Sequence, residues 1–197
     1  MLSFILLLII TMAGWILLWV LVVLWIWMVA LYNNLITLKT NRENAFADID
    51  VQLKLRFDLV PNIVNTVKGY AKHEKDTLKQ LTEARTWFMN AKSIESKVAA
   101  NNELTWALRT LFAVAENYPE LKANENFLNL QNELADIENK LAASRRYFNS
   151  ASKEYNIAIQ TFPSVLIANT FGFKKAEYFE LDSEEKETAK KAPKVEF

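Results

Sequence analysis

Two hydrophobic patterns divide this chain. From Leu2 to Leu31 nearly every position is Leu, Ile, Val, Met, Phe, Ala or Trp, interrupted only by Ser3, Thr11 and Gly14. No charge occurs before Lys39, so all 23 basic and all 23 acidic residues lie at or beyond it. A bilayer core takes roughly 20 apolar residues as a helix. Lipid offers the backbone no hydrogen bonds, so a single spanning segment must be helical. The run is long enough to tilt or to continue directly into the part that follows.

Behind it the apolar positions recur at helical spacing. Leu130, Leu134, Ile137, Leu141, Ser144, Phe148, Ala151, Tyr155, Ala158 and Phe162 alternate by four and three residues. This is a heptad seam, and all but Ser144 are apolar or small. It predicts a helix of about 37 residues, capped by Asn124 or Asn126 and closed by Pro163. A second seam runs through Val60, Val64, Val67, Ala71, Leu78, Leu81, Arg85 and Phe88, with Pro61 in its first turn and Asp58 as a capping acceptor. That helix is alternatively continuous with the first span and kinked at Pro61. A third, from about Lys97 to Asn117, lines up Leu104, Leu108, Leu111, Ala115 and Tyr118, and Tyr118-Pro119 ends it.

One stretch reads as strand. Ile49, Val51, Leu53, Leu55, Phe57 and Leu59 alternate with polar residues. No comparable partner strand exists, and a lone strand is unstable. Ile49, Leu53 and Phe57 also share a helical face, so helix is expected. The fold class is all-α: an N-terminal transmembrane helix followed by an antiparallel bundle of long helices. The expected divisions are an anchor (1–34), a bundle (35–173) and a charged tail (174–197). Glu180 to Lys191 is a charged run without core periodicity, normally solvated, though a surface of another subunit is an alternative place for it.

Charge sets orientation and excludes some functions. Lys39, Arg42, Lys54 and Arg56 follow the span and nothing basic precedes it. The positive-inside rule then puts the N-terminus outside and the bundle in the cytoplasm. A cleaved signal peptide has a basic start and an apolar core of about 7–15 residues, neither of which fits. Net charge is zero, so nucleic acid is not an expected partner. There is no cysteine, hence no disulfide, thiol nucleophile, Cys-ligated metal or lipoprotein anchor.

Candidate chemistry is sparse. His73 is the only histidine. Beside Glu74 it suggests an acid–base pair, but a carboxylate bundle metal site wants a Glu-x-x-His from each of two helices. A surface histidine is the commoner case. Asp48, Asp50 and Asp58 lie near Arg42, Lys54 and Arg56, where a salt-bridged face is far commoner than a catalytic dyad. Arg145 with Glu138, or Lys140 with Asp136, reads as an intrahelical pair. Gly69 suits a close crossing or kink, and Gly172 a turn or helix C-cap. No cofactor or metal is expected, and no catalytic residue is assigned. Instead the aromatic residues of the anchor carry the expectation. Trp25, Trp27 and Tyr32 fit a belt at the inner membrane interface. Trp15 and Trp19, one turn apart in mid-span, are either lipid-facing bulk or a seam between copies of the chain.

The stretch from Tyr32 onward resembles the LemA family of bacterial membrane proteins. The matching segments are YNNLITLKTNRENAFADIDVQLKLRFDLVPNIVNTVKGYAKHE (32–74), YPELKANENFLNLQNELADIENKLAASRRYFNSASKEYN (118–156), FPS (162–164), FGF (171–173) and KVEF (194–197). The resemblance implies a helical bundle behind a membrane helix, N-out topology and the bacterial cytoplasmic membrane. It implies no reaction. Family members often stand beside genes for membrane metalloproteases or other envelope proteins, which hints at envelope maintenance. Two functions follow as expectations: a non-enzymatic scaffold that forms a homo-oligomer, or an adaptor for an envelope protease or another membrane protein. A carboxylate-based hydrolase has no nucleophile–base pair to rest on.

Overall fold

The computed structural model describes residues 2–71 and 73–179, with side chains described from Met12 onward. The described residues form seven helices and no strand: α1 (Leu2–Asp58), α2 (Val60–Lys68), α3 (Lys75–Asn90), α4 (Ile94–Ala115), α5 (Pro119–Lys122), α6 (Glu125–Ala158) and α7 (Ser164–Thr170). The anchor and the first bundle arm are therefore one helix. Residues 180–197, where the unpatterned charged run falls, lie outside the described residues.

The alternating stretch is helical. Ile49, Leu53 and Phe57 are buried, whereas Val51 and Leu55 are 54% and 47% exposed. Alternation arose because a second apolar pair sits half a turn away from the buried face. α1 ends at Asp58; Leu59 after it keeps near-helical angles (φ −77°, ψ −21°), and Pro61 lies in the first turn of α2. The proline ring blocks the carbonyl four residues back, so the hydrogen-bond ladder breaks there without the chain reversing. Asp58 makes no side-chain cap to α2.

The chain divides into two compact units, Met1–Ala45 with Tyr147–Tyr178, and Phe46–Arg146 with Phe179–Phe197. In the second unit α3 and α4 form a hairpin, and Phe57 of α1 stacks on Phe88 of α3 with ring centroids 4.1 Å apart. The expected single helix through Val60–Phe88 is two helices, α2 and α3, parted after Gly69. Gly69 makes no close crossing: an added Cβ would meet only the Thr66 carbonyl, at 3.6 Å. α4 begins earlier than expected because Ser93 and Ser96 cap each other's backbone in a capping box. Asn124 caps α6, accepting from the Phe127 amide at 3.0 Å.

In the first unit Leu35 of α1 is buried with Tyr155, Ile159, Ile167 and Ala168, flanked by Leu31, Tyr32, Leu38 and Phe173. α6 stops at Ala158, one turn short of the expected end, and Phe162 leaves the seam and is exposed. α7 closes with Gly172 in the left-handed region (φ 72°) and the Phe173 amide donating to the Ala168 carbonyl at 2.9 Å. This six-to-one bond is a Schellman cap, which needs a residue without a Cβ penalty at that position.

Candidate functional site

The tryptophans of the span have no neighbours to pack on. Trp15 and Trp19 are 63% and 65% exposed, and Trp25 and Trp27 are exposed as well. α1 contains a window apolar enough to cross a membrane, and none of that window is buried. Left in water such a face would cost about 25 cal/mol per Å², so a nonpolar environment must cover it. Tyr32 differs from the other four. Its ring packs on Phe171 (centroids 4.8 Å) and edge-on to Phe173 (5.9 Å).

The return segment is held to α1 by polar contacts. Asn156 is buried on α6 and clamps Ala176 twice, donating to its carbonyl at 2.8 Å and accepting from its amide at 2.7 Å. The Tyr155 hydroxyl donates to the Lys174 carbonyl at 3.0 Å. Burial pushes the Tyr155 phenol above its usual pKa, so it stays a donor. Arg42 of α1 donates to Ser152 and to the Glu177 carbonyl, and its guanidinium lies 4.9 Å from the Phe148 ring centroid. Residues 174–177 are thus a bound strap.

In the other unit the polar centre is Arg56, which is buried. It donates to Asn101 (2.6 Å) and Thr105 (3.0 Å) of α4 and to Glu138 (2.5 Å) of α6. Desolvation pulls its pKa down, opposed by the Glu138 carboxylate. The Glu138 carboxylate supplies the counter-charge that the buried guanidinium needs. Glu138 therefore serves Arg56 rather than the expected Arg145, whose guanidinium sits 4.8 Å from the Phe179 ring centroid. The Lys140–Asp136 pair is present at 2.7 Å. Asp50 pairs with Lys97 of α4. Sequence reasoning missed this knot because Arg56 read as a membrane-flanking cation. Its signal was the spacing Ile49, Leu53, Arg56, Val60, Ile63, Val67, which puts Arg56 inside the seam.

His73 is exposed on a groove of about 920 Å³, beside Lys68, Lys75 and Lys79, with Val64 and Leu78 as apolar lining. Its neighbour Glu74 accepts from the Tyr118 hydroxyl at 3.0 Å, and that bond raises the phenol's pKa. The pair His73–Glu74 is thus divided between a basic groove and a loop contact. Among the described residues no three His, Cys, Asp or Glu side chains gather as a metal site.

These features meet a known pattern: the chain matches the LemA family over residues 45–197. The chain belongs to the LemA family. Among curated proteins it is similar to magnetosome protein MamQ of Magnetospirillum gryphiswaldense, with 25% identity over 75% of this chain and 64% of the relative. It is similar to magnetosome protein MamQ 2 of Paramagnetospirillum magneticum, 24% identical over 76% of this chain and 64% of that protein. It is also similar to protein LemA of Metamycoplasma hominis, 26% identical over 66% of this chain and 60% of the relative. The chain spans somewhat less than two thirds of these relatives' length. With its apolar N-terminal helix, this LemA-family chain is a membrane protein. Neither the family description nor these names denote a reaction.

Proposed function

We propose that this LemA-family protein is a non-enzymatic, membrane-anchored helical scaffold. It associates with copies of itself at the bacterial cytoplasmic membrane, its bundle inside the cell, in the service of envelope maintenance. The observation that carries the reading is the unpartnered apolar surface of α1. Within the span Trp15 and Trp19 stand exposed one turn apart, and within the bundle Val51 and Leu55 do the same. Lipid satisfies the first pair only in part, since packing drives helix association in a bilayer. In water the second pair is covered most readily by another protein surface.

The charged groups support the non-enzymatic reading. Asp50, Glu74 and Glu138 are each held by a structural partner. The basic residues Lys39 and Arg42 just beyond the span support a cytoplasmic bundle. Two of the relatives are named as magnetosome proteins and one as protein LemA, names that denote no turnover.

Mass photometry of the detergent-solubilised full chain tests the proposal. Species at multiples of the 22.7 kDa chain are expected. A clean monomer at every concentration would count against it. The adaptor reading, with an envelope protease or another membrane protein as partner, draws support from the basic groove at Lys68, His73, Lys75 and Lys79. That groove suits an acidic segment with an apolar residue to seat. Crosslinking and pull-down from native membranes that returned one dominant partner with a monomeric chain would favour it.

A further inference from the structure

We propose that the turn after α6, together with α7 and its cap, is a foot that lies in the lipid interface. It is a second, monotopic membrane contact beside the span. The proposal rests on α1 being a transmembrane helix, but not on self-association.

Level is the first argument. The described side chains of α1 from Met12 to Val29 are exposed, and packing begins at Leu31 and Tyr32. Those two residues meet the core that holds Ile159, Ile167, Ala168 and Phe173. The turn and α7 therefore stand where α1 leaves the span.

Charge is the second. Tyr155 to Phe173 is 19 consecutive residues without a charged side chain. About a quarter of residues in a soluble domain are charged, so roughly five would be expected in such a stretch. α1 is likewise uncharged as far as Leu38. The two segments that pack together here are both free of charge, and each meets its first charge on the side away from the span: Lys39, Glu154 and Lys174.

Exposure is the third. α7 buries Ile167 and Ala168 against the core, yet Leu166 is 59% exposed. Phe162 before it is 75% exposed, and Phe171 after it is 58% exposed with one face on Tyr32. Phe162 and Leu166 leave most of their surface uncovered by the described residues, and Phe171 adds the face turned away from Tyr32. Lys174 and Lys175, both exposed, follow directly and suit lipid phosphates. Apolar side chains bordered by lysine are the composition of an interfacial segment, which sinks about 5–10 Å into the headgroup boundary. The strap bonds at Lys174 and Ala176 then hold the foot to α6 from behind.

The absence of cysteine makes the test direct. Phe162→Cys, Leu166→Cys, Val20→Cys and Tyr147→Cys would each be made in the full chain, spin-labelled and reconstituted in anionic vesicles. Tyr147 is exposed and lies on α6 roughly 18 Å below Ile159 at 1.5 Å per residue. Collision with oxygen relative to a water-soluble nickel reagent reports depth. Labels at 162 and 166 are expected to give a ratio several-fold above that at 147 and below that at 20. Values at 162 and 166 equal to that at 147, with 20 in lipid, would overturn the foot and leave the span intact. Shielding from both reagents would mean that protein covers the surface, which also overturns it. An aqueous label at 20 would remove the span and the foot together. Each variant keeps the other apolar side chains of the foot, so a single substitution does not abolish the contact it reports.

Discussion

The two compact units solve the same packing problem with opposite materials. The unit built on residues 46–146 centres a buried arginine of α1 among polar partners from two other helices. The unit built on 1–45 and 147–178 closes on an uncharged end, where backbone groups of a strap are clamped by a buried asparagine. A guanidinium can be kept in the first because Asn101, Thr105 and Glu138 satisfy its donors, and half of Glu138 remains in water. The unit of 1–45 and 147–178 includes the membrane helix, where an unpaired charge would be far more expensive. Each unit's polar content thus follows from the solvent its surroundings provide.

Substitutions can break that contrast in order of size. Phe57→Ala removes a fully buried ring stacked on Phe88, and should cost about 3–5 kcal/mol, read as loss of amide exchange protection confined to the 46–146 unit. Equal loss at Tyr155 and Ala176 would erase the distinction between the units. Glu138→Ala leaves a buried guanidinium short of its anion. Its expected cost is about 1–3 kcal/mol by denaturant titration, and Glu138→Gln should recover part of it.

The α4 and α6 seams, the fold class and the continuity of α1 were legible from spacing, because burial imposes periodicity on a helix, whereas the parting of the Val60–Phe88 seam into α2 and α3 was not. What stayed hidden were polar residues inside the apolar seams. Arg56, Asn101 and Asn156 look like surface residues by type, and only their partners from distant segments explain them. The strap was hidden for a related reason: its contacts use backbone groups of Lys174, Ala176 and Glu177, which carry no side-chain signature. Of the expected anchor residues, Tyr32 packs against the edge of the core, on Phe171 and Phe173. The four tryptophans stand exposed along α1.

Smaller effects sharpen the comparison. Asn156→Ala frees both backbone groups of Ala176 and should cost about 1 kcal/mol. Its clearer sign is faster tryptic cleavage at Lys174 and Lys175, with the other unit unchanged. The Tyr155 phenol is held above its ordinary pKa by burial. Its stabilising contribution is complete below about pH 10 and is lost as pH rises through the raised folded value. Strap protection, measured relative to the intrinsic base-catalysed exchange rate, should therefore fall only above about pH 10, and Tyr155→Phe should remove that step. Smallest of all, Val51→Ser with Leu55→Ser should change the stability of the single chain by no more than about 0.5 kcal/mol, while lowering the population of associated species in mass photometry.

The most direct measurement of self-association is a cysteine scan of α1 from Met12 to Val29 in native membranes, followed by oxidative crosslinking. The account predicts a crosslinked dimer that recurs with helical periodicity and is strongest on the face of Trp15 and Trp19. Uniform absence of crosslinks, with every position still reactive to a lipid-soluble thiol reagent, would contradict it.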